Sequence, residues 1–219
     1  MSFAILMPSR NRPHLMRPLV ENIRATTPGV RPSSPVERPV GVYFAVTDPE
    51  SYRTLIELGV KVWMTDPEWS CCERTQFLYE RTVEDYLYLA QDDSLFTAGW
   101  QEPALSVCRE IDGVVAVADG NRRTGTTGIV SRRYVETLSC APDEPNVVGH
   151  RGYHHNFVET ECFEVAESRG RFAYCPESLV EHRHHKRGLA AYDETYRRNE
   201  QGWEHDKALF HARRHLWGR

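Results

Sequence analysis

Tyr86-Leu87-Tyr88-Leu89-Ala90-Gln91-Asp92-Asp93-Ser94 is a short apolar run that ends in two adjacent carboxylates. A run of that length, rich in aromatic residues, reads as a buried strand. Two acids at the C-terminal end of such a strand stand at the rim of an α/β sheet, where open folds bind their ligands. Like charges so close repel each other, so the pair calls for a cationic partner. A divalent metal carrying a phosphorylated ligand meets that need. Two solvated acids opening a turn, with no cation, account for this stretch alone equally well.

Working outward, apolar runs alternate with helical patterns. Phe3 to Met7 reads as a first strand ending at Pro8, and Ser9-Arg10-Asn11-Arg12 as a polar turn. Leu15, Leu19, Val20 and Ile23 then share one helical face, with Pro13 suited to the first turn and Pro18 predicting a kink or a late start. Thr26 to Pro39, with four prolines and two serines, reads as an exposed loop. Strands are predicted at Val40–Val46, Val60–Met64, Tyr86–Ala90 and Val114–Ala118, with helices over 51–58, 71–82 and 100–111 between them. That alternation is the pattern of a mostly parallel sheet covered by helices on both faces.

The second half is less regular. A short strand at 127–131, a helix at 132–138, a loop at 143–150 and a helix over 157–168 stopped by Gly170 are predicted. Arg171 to Cys175 leads to Pro176, and Leu179-Val180 makes one more short strand. From Ala190 onward the chain is charged and amphipathic, a helical extension packed on the same domain. The expected organisation is a single α/β domain over 1–188 with the extension at 189–219.

Composition narrows the function classes. The 219 residues are 40% hydrophobic and 26% charged, which is globular rather than disordered. A formal net charge of −4 supplies no basic field for nucleic acid, so no nucleic-acid partner is expected. Arginine far outnumbers lysine, and its fork suits phosphate or carboxylate. The six cysteines form no CxxC pair and read as small buried thiols of a reducing compartment. The N-terminus lacks a signal sequence's basic flank and apolar core, and no run approaches the ~18 apolar residues of a membrane span. A soluble, cytoplasmic protein without stable membrane insertion is expected.

Three further constellations carry chemistry. Pro8-Ser9-Arg10-Asn11-Arg12 follows the first strand, where backbone N–H groups and side chains hold a base, ribose or phosphate; it has no glycine fingerprint for a dinucleotide. Glu181-His182-Arg183-His184-His185 follows a short strand. Its imidazoles are metal ligands or a solvated basic patch, and His182 and His184 point to one side if the segment is extended. Glu159-Thr160-Glu161 opens a helix, where acids either answer the helix dipole or include a general base. Tyr153-His154-His155-Asn156 beside it lines an acceptor pocket or is simply loop.

In this order the pieces resemble family 2 glycosyltransferases with the GT-A fold, over roughly residues 3 to 185. Phe3 to Pro13 looks like that family's opening strand and nucleotide-binding turn. Leu87 to Asp93 followed by Gly99-Trp100 looks like its metal-binding acidic motif. The stretch from Glu159 through Gly170-Arg171-Phe172-Ala173-Tyr174-Cys175-Pro176 to Val180-Glu181-His182 is similar to its base helix and G-x-x-x-Y-x-P-x-x-x-V-x-H tail.

The resemblance implies a single-domain, Rossmann-like GT-A fold and a sugar transfer with inversion from a nucleotide-diphosphate sugar, UDP by default, to an acceptor hydroxyl. It implies Mn²⁺ or Mg²⁺ as the cofactor. Pro8, Ser9, Arg10, Asn11 and Arg12 would contact the donor, and Asp48 would approach its base. Asp93 falls on the last acid of the DxD motif and would hold the metal with His182, or with His184 as the alternative. Gln91 stands where the family has its first acid, and Asp92 would compensate. Glu159 falls on the catalytic base, with Glu161 two residues later. The acceptor is a protein, a glycan or a small molecule. Arg122, Arg123 and the segment 124–127, among glycines, suggest a mobile acceptor loop. The alternatives are a nucleotide-sugar-binding domain without turnover and a nucleotidyltransferase. The latter calls for a glycine-rich phosphate loop after the first strand, and residues 9–12 contain no glycine.

Overall fold

The computed structural model describes residues 1–30, 40–120 and 125–218. Eight strands form one sheet in the order β3-β2-β1-β4-β7-β6-β8-β5. The strands β1 (Phe3–Pro8), β2 (Val40–Val46), β3 (Lys61–Met64) and β4 (Tyr86–Leu89) pair in parallel, and their apolar runs are the predicted ones. Every residue of β1 is buried, as befits a strand covered on both faces.

The remaining strands supply the antiparallel part of this mostly parallel sheet. β7 (Gly128–Ser131) runs antiparallel to both β4 and β6 (Val114–Ala118). β5 (Ser94–Phe96), three residues that carry no periodicity, pairs antiparallel with β8 (Phe172–His182). β8 also joins what the sequence divides at Pro176. It pairs in parallel with β6, but Cys175 faces Val117 while Leu179 faces Ala118. Residues 176–178 therefore bulge out of register, which is where a strand tolerates a proline lacking its N–H.

Helices α1 (Pro13–Thr26), α2 (Pro49–Glu57) and α4 (Gln101–Ile111) cover one face of the sheet. α3 (Cys71–Tyr79), α5 (Arg132–Leu138) and α6 (Val158–Ser168) cover the other. α1 buries Met16, Leu19, Val20 and Ile23 and continues through Pro18. Pro18 and His14, whose carbonyl loses its bond, both face solvent, so the carbonyl is open to water. The C-terminal helices α7 (Glu194–Gln201) and α8 (Trp203–Arg213) fold back, and Phe210 of α8 packs with Cys72 and Tyr153. The six cysteines are unpaired and five are buried, as expected. No helix among the described residues is long and apolar enough to cross a membrane.

Of the expected acceptor loop, residues 122–124 lie outside the described residues. Thr126 and Thr127 are buried rather than loosely held, and Thr127 Oγ1 sits 2.6 Å from Tyr88 Oη in a hydrogen bond. Gly125 adopts φ +66°, and a Cβ there would meet the Val117 carbonyl oxygen at 2.0 Å, so the glycine serves close packing.

Candidate active site

The acid pair forms the floor of a cleft at the C-terminal ends of β1 and β4. Asp92 accepts a hydrogen bond from Ser9 Oγ (2.7 Å) and another from Arg12 Nη1 (2.6 Å). Asp93 Oδ2 accepts from Tyr196 Oη at 2.7 Å and lies 3.7 Å from Arg12 Nη1. Asp93 Oδ1 faces His182 Nε2 at 3.3 Å. The antiparallel register of β5 on β8 makes this last meeting: Ser94 sits opposite His182, and Arg183 N donates to the Asp93 carbonyl at 2.8 Å.

Electrostatics separates the two acids. Burial alone would raise Asp93, but the His182 ring, Arg12 and the Tyr196 hydroxyl hold it well below the usual carboxylate range. Asp92 is pushed the other way, by burial first and by its charged neighbour as well, against the pull of Arg12. His182 is shifted upward because facing Asp93 outweighs its burial. Thr126 Oγ1 stands 3.3 Å from His182 Nδ1, which orients the ring so that Nε2 faces the acid.

Pro8, Ser9, Arg10, Arg12, Gln91, Asp92, Asp93, His182 and His184 line this one cleft, of about 280 Å³. Glu159 lines a second cavity of about 550 Å³, together with Asn156, Thr160 and Trp203. The two share Gln91, His182, His184 and Tyr196 as a common wall. Among the described residues Gln91 Oε1 is buried there without a hydrogen-bond donor, and its Nε2 reaches the Thr126 carbonyl at 3.5 Å. His184 bends back so that its Nδ1 accepts from Lys186 N (3.2 Å).

Three residues of the expected site are placed elsewhere. Asn11, at φ 49°, is exposed and its Oδ1 accepts from Thr47 Oγ1 at 3.2 Å. Asp48 is the N-cap of α2, accepting from Ser51 N (2.8 Å) and Ser51 Oγ (2.7 Å). Neither lines the cleft. Glu161 is fully buried on the far side of α6, bound by Tyr153 Oη (2.6 Å) and twice by Arg213 (3.0 and 2.8 Å). Two residues along a helix turn the side chain by about 200°, so Glu159 and Glu161 face opposite ways.

Other participants carry no motif. Asp193 and Tyr196 come from α7 and its cap. Asp193 takes Arg12 Nε (2.8 Å) and Nη2 (3.1 Å), and the Arg12 guanidinium lies 4.2 Å from the centre of the Tyr196 ring. An Asp ahead of a helical pattern signals an N-cap, which Asp193 is, but nothing local connects it to Arg12.

No protein-family model matches the sequence, and no curated protein matches it. Solved structures do match the fold. S. aureus TarS superposes with a TM-score of 0.63 at 8% identity, over 82% of this chain and 36% of its own. Mannosyltransferase PcManGT from Pyrobaculum calidifontis, in complex with GDP-Man and Mn²⁺, gives 0.59 at 14% identity over 86% and 58%. Glucosyl-3-phosphoglycerate synthase from Mycobacterium tuberculosis, with Mn²⁺, UDP and glucosyl-3-phosphoglycerate, gives 0.60 at 12% identity over 84% and 72%. A CMP:2-keto-3-deoxy-manno-octonic acid synthetase complexed with CTP gives 0.52 at 12% identity. The chain has the GT-A fold, a mixed α/β sheet flanked by helices, as the resemblance implied. It spans little more than a third of TarS and somewhat over half of PcManGT.

Proposed function

We propose that this chain is a glycosyltransferase that moves a sugar from a nucleotide-diphosphate sugar to an acceptor hydroxyl, with inversion and with a divalent cation. The observation that carries the reading is the meeting of Asp93 and His182 on the floor of a cleft that shares a wall with the cavity containing Glu159. The first cleft is the donor site and the second the acceptor site.

A carboxylate and an imidazole facing each other at 3.3 Å form a mixed oxygen and nitrogen donor set that fits Mn²⁺ better than the oxygen-seeking Mg²⁺. Asp93 and His182 would hold the cation, and when bound it supplies Lewis-acid stabilisation of the diphosphate. The chain's own groups do the rest. The orphaned Gln91 Oε1 accepts a hydroxyl of the donor, in the place of the family's first acid. Ser9 and Arg12 fix Asp92 and keep the floor rigid before reaction. Glu159 takes the proton of the acceptor hydroxyl as that oxygen attacks the anomeric carbon. Helix α7 and its cap belong to the working site, because Asp193 and Tyr196 close it over Arg12. UDP is the first nucleotide to try, and the acceptor is a protein, a glycan or a small molecule.

The test is a thermal-shift screen of nucleoside diphosphates and their sugars, with and without Mn²⁺, since a ligand of the folded form raises its apparent stability. A shift with one sugar nucleotide that grows with Mn²⁺ is expected, its Mn²⁺-dependent part lost in Asp93→Ala and weakened in His182→Ala. A shift with CTP and none with any sugar nucleotide would assign the chain to nucleotidyl transfer instead.

A further inference from the structure

Arg10, from the turn after β1, and Arg74, on α3, are both buried, at 8% and 5% exposure, and both line the donor cleft. Among the described residues neither has a carboxylate partner. Arg10 Nη2 donates to the Pro67 carbonyl and, at 2.7 Å, to the Trp69 carbonyl. Arg74 Nη1 donates to that same Trp69 carbonyl at 2.5 Å. Among the described residues the Nε of each is buried without an acceptor.

The acids of the cleft are committed to other arginines. Asp92 and Asp193 hydrogen-bond to Arg12, Asp93 lies within 4 Å of it, and Glu68 takes Arg198 Nη2 at 3.1 Å. Burial first, then Arg74 and Arg198, bring Arg10 down to about 10, so the guanidiniums repel one another.

Glu68 and Asp92 act on Arg10 and Arg74 only from beyond ion-pair distance, and proteins ordinarily pair buried cations directly. Backbone carbonyls offer dipoles but no net charge. Adjacent planar forks with unused donors match the tetrahedral oxygens of a phosphate, which arginine binds in preference to a point contact.

We infer that Arg10 and Arg74 form an anion subsite that binds a phosphate or diphosphate group without a divalent cation. The subsite stands on these residues alone; taking its anion to be the donor's diphosphate rests on the reading under Proposed function. On that reading nucleotide binding precedes metal binding, and the cation serves turnover.

Isothermal titration of the whole chain with inorganic pyrophosphate in EDTA tests it. Wild type binds. Arg74→Met loses 10-fold or more in affinity, in line with one charge-assisted contact. Because Arg10 still holds the Trp69 carbonyl, Arg74→Met without ligand keeps or raises the wild-type melting temperature. Arg198→Ala, at the exposed rim, gives a smaller loss without challenging the core. Absence of pyrophosphate binding in EDTA, or equal affinity in wild type and Arg74→Met, overturns the inference. UDP displacing pyrophosphate in EDTA identifies the anion as a donor diphosphate; a sugar monophosphate displacing it where UDP does not identifies a phosphorylated acceptor. Both outcomes uphold the subsite. Pyrophosphate binding with no sugar nucleotide bound even in Mn²⁺ leaves the subsite standing and removes the glycosyltransferase reading. Sugar nucleotides binding only with Mn²⁺, beside no pyrophosphate binding in EDTA, does the reverse.

Discussion

Glu159 and Glu161 differ by two positions and in nearly everything that matters for chemistry. Glu159 lines the cavity that adjoins the acid pair, whereas Glu161 is saturated by Tyr153 and Arg213 in the interior. Glu159→Gln removes the proposed base and spares the proposed donor cleft. We expect transfer to fall by two to four orders of magnitude while nucleotide binding is unchanged; equal turnover in the variant, read by donor consumption with acceptor present, would reject the assignment. Glu161→Ala does the opposite. It leaves Arg213, itself only 7% exposed, with Asp143 as its remaining partner. Breaking one side of a buried pair of this kind destabilises by about 3 kcal/mol. A urea titration should show that loss, with specific activity of the folded fraction retained.

At the scale of elements, the site is assembled by two joints. One is the β5–β8 ladder, whose register delivers His182 to Asp93. The other is the seat of the C-terminal helices. Asp206 at the start of α8 is fully buried and accepts from the backbone N–H of His154 (2.9 Å), His155 (3.0 Å) and Asn156 (2.8 Å). Burial would raise its pKa, but these donors and the His205 ring bring it below the ordinary value. Asp206→Ala strands three N–H groups at once and should cost about 2–3 kcal/mol. It should also loosen the 154–156 loop that borders both cavities. Hydrogen exchange at those amides checks this: protection in the variant equal to wild type would show that another contact holds the loop.

Over the whole molecule, half-buried histidines set an acid limit to stability. Burial holds His155 down to about 4 from an ordinary 6.5, and burial with its histidine neighbours does the same to His184. The unfolded chain takes up these protons near 6.5, and the native chain only near 4. Stability is therefore complete above about pH 6.5, falls as pH drops from there to 4, and changes no further from these groups below 4. Urea midpoints measured between pH 7 and 4 should decline, and His155→Gln should flatten the slope; an unchanged slope would exclude His155 as a contributor.

The long apolar runs made most of the architecture legible. β2, β6 and α5 have the predicted limits, because Val40–Val46, Val114–Ala118 and Arg132–Leu138 carry their periodicity within themselves. β5 was illegible, because three residues hold no period, and β8 was divided at Pro176, because a bulge is a property of two strands. The cleft was legible for the β1 turn and the acid pair, which follow directly from strands. Asp48 and Asn11 end the same kind of strand, yet a helix cap and a threonine claim them. Local sequence determined which segments become strands and helices and that two carboxylates stand at a strand's end, since hydrophobic periodicity acts between near neighbours. Only the tertiary structure decided that His182, Tyr196 and Arg12 converge on those carboxylates. Such meetings depend on the register and packing of segments far apart in the chain, and no local pattern encodes them.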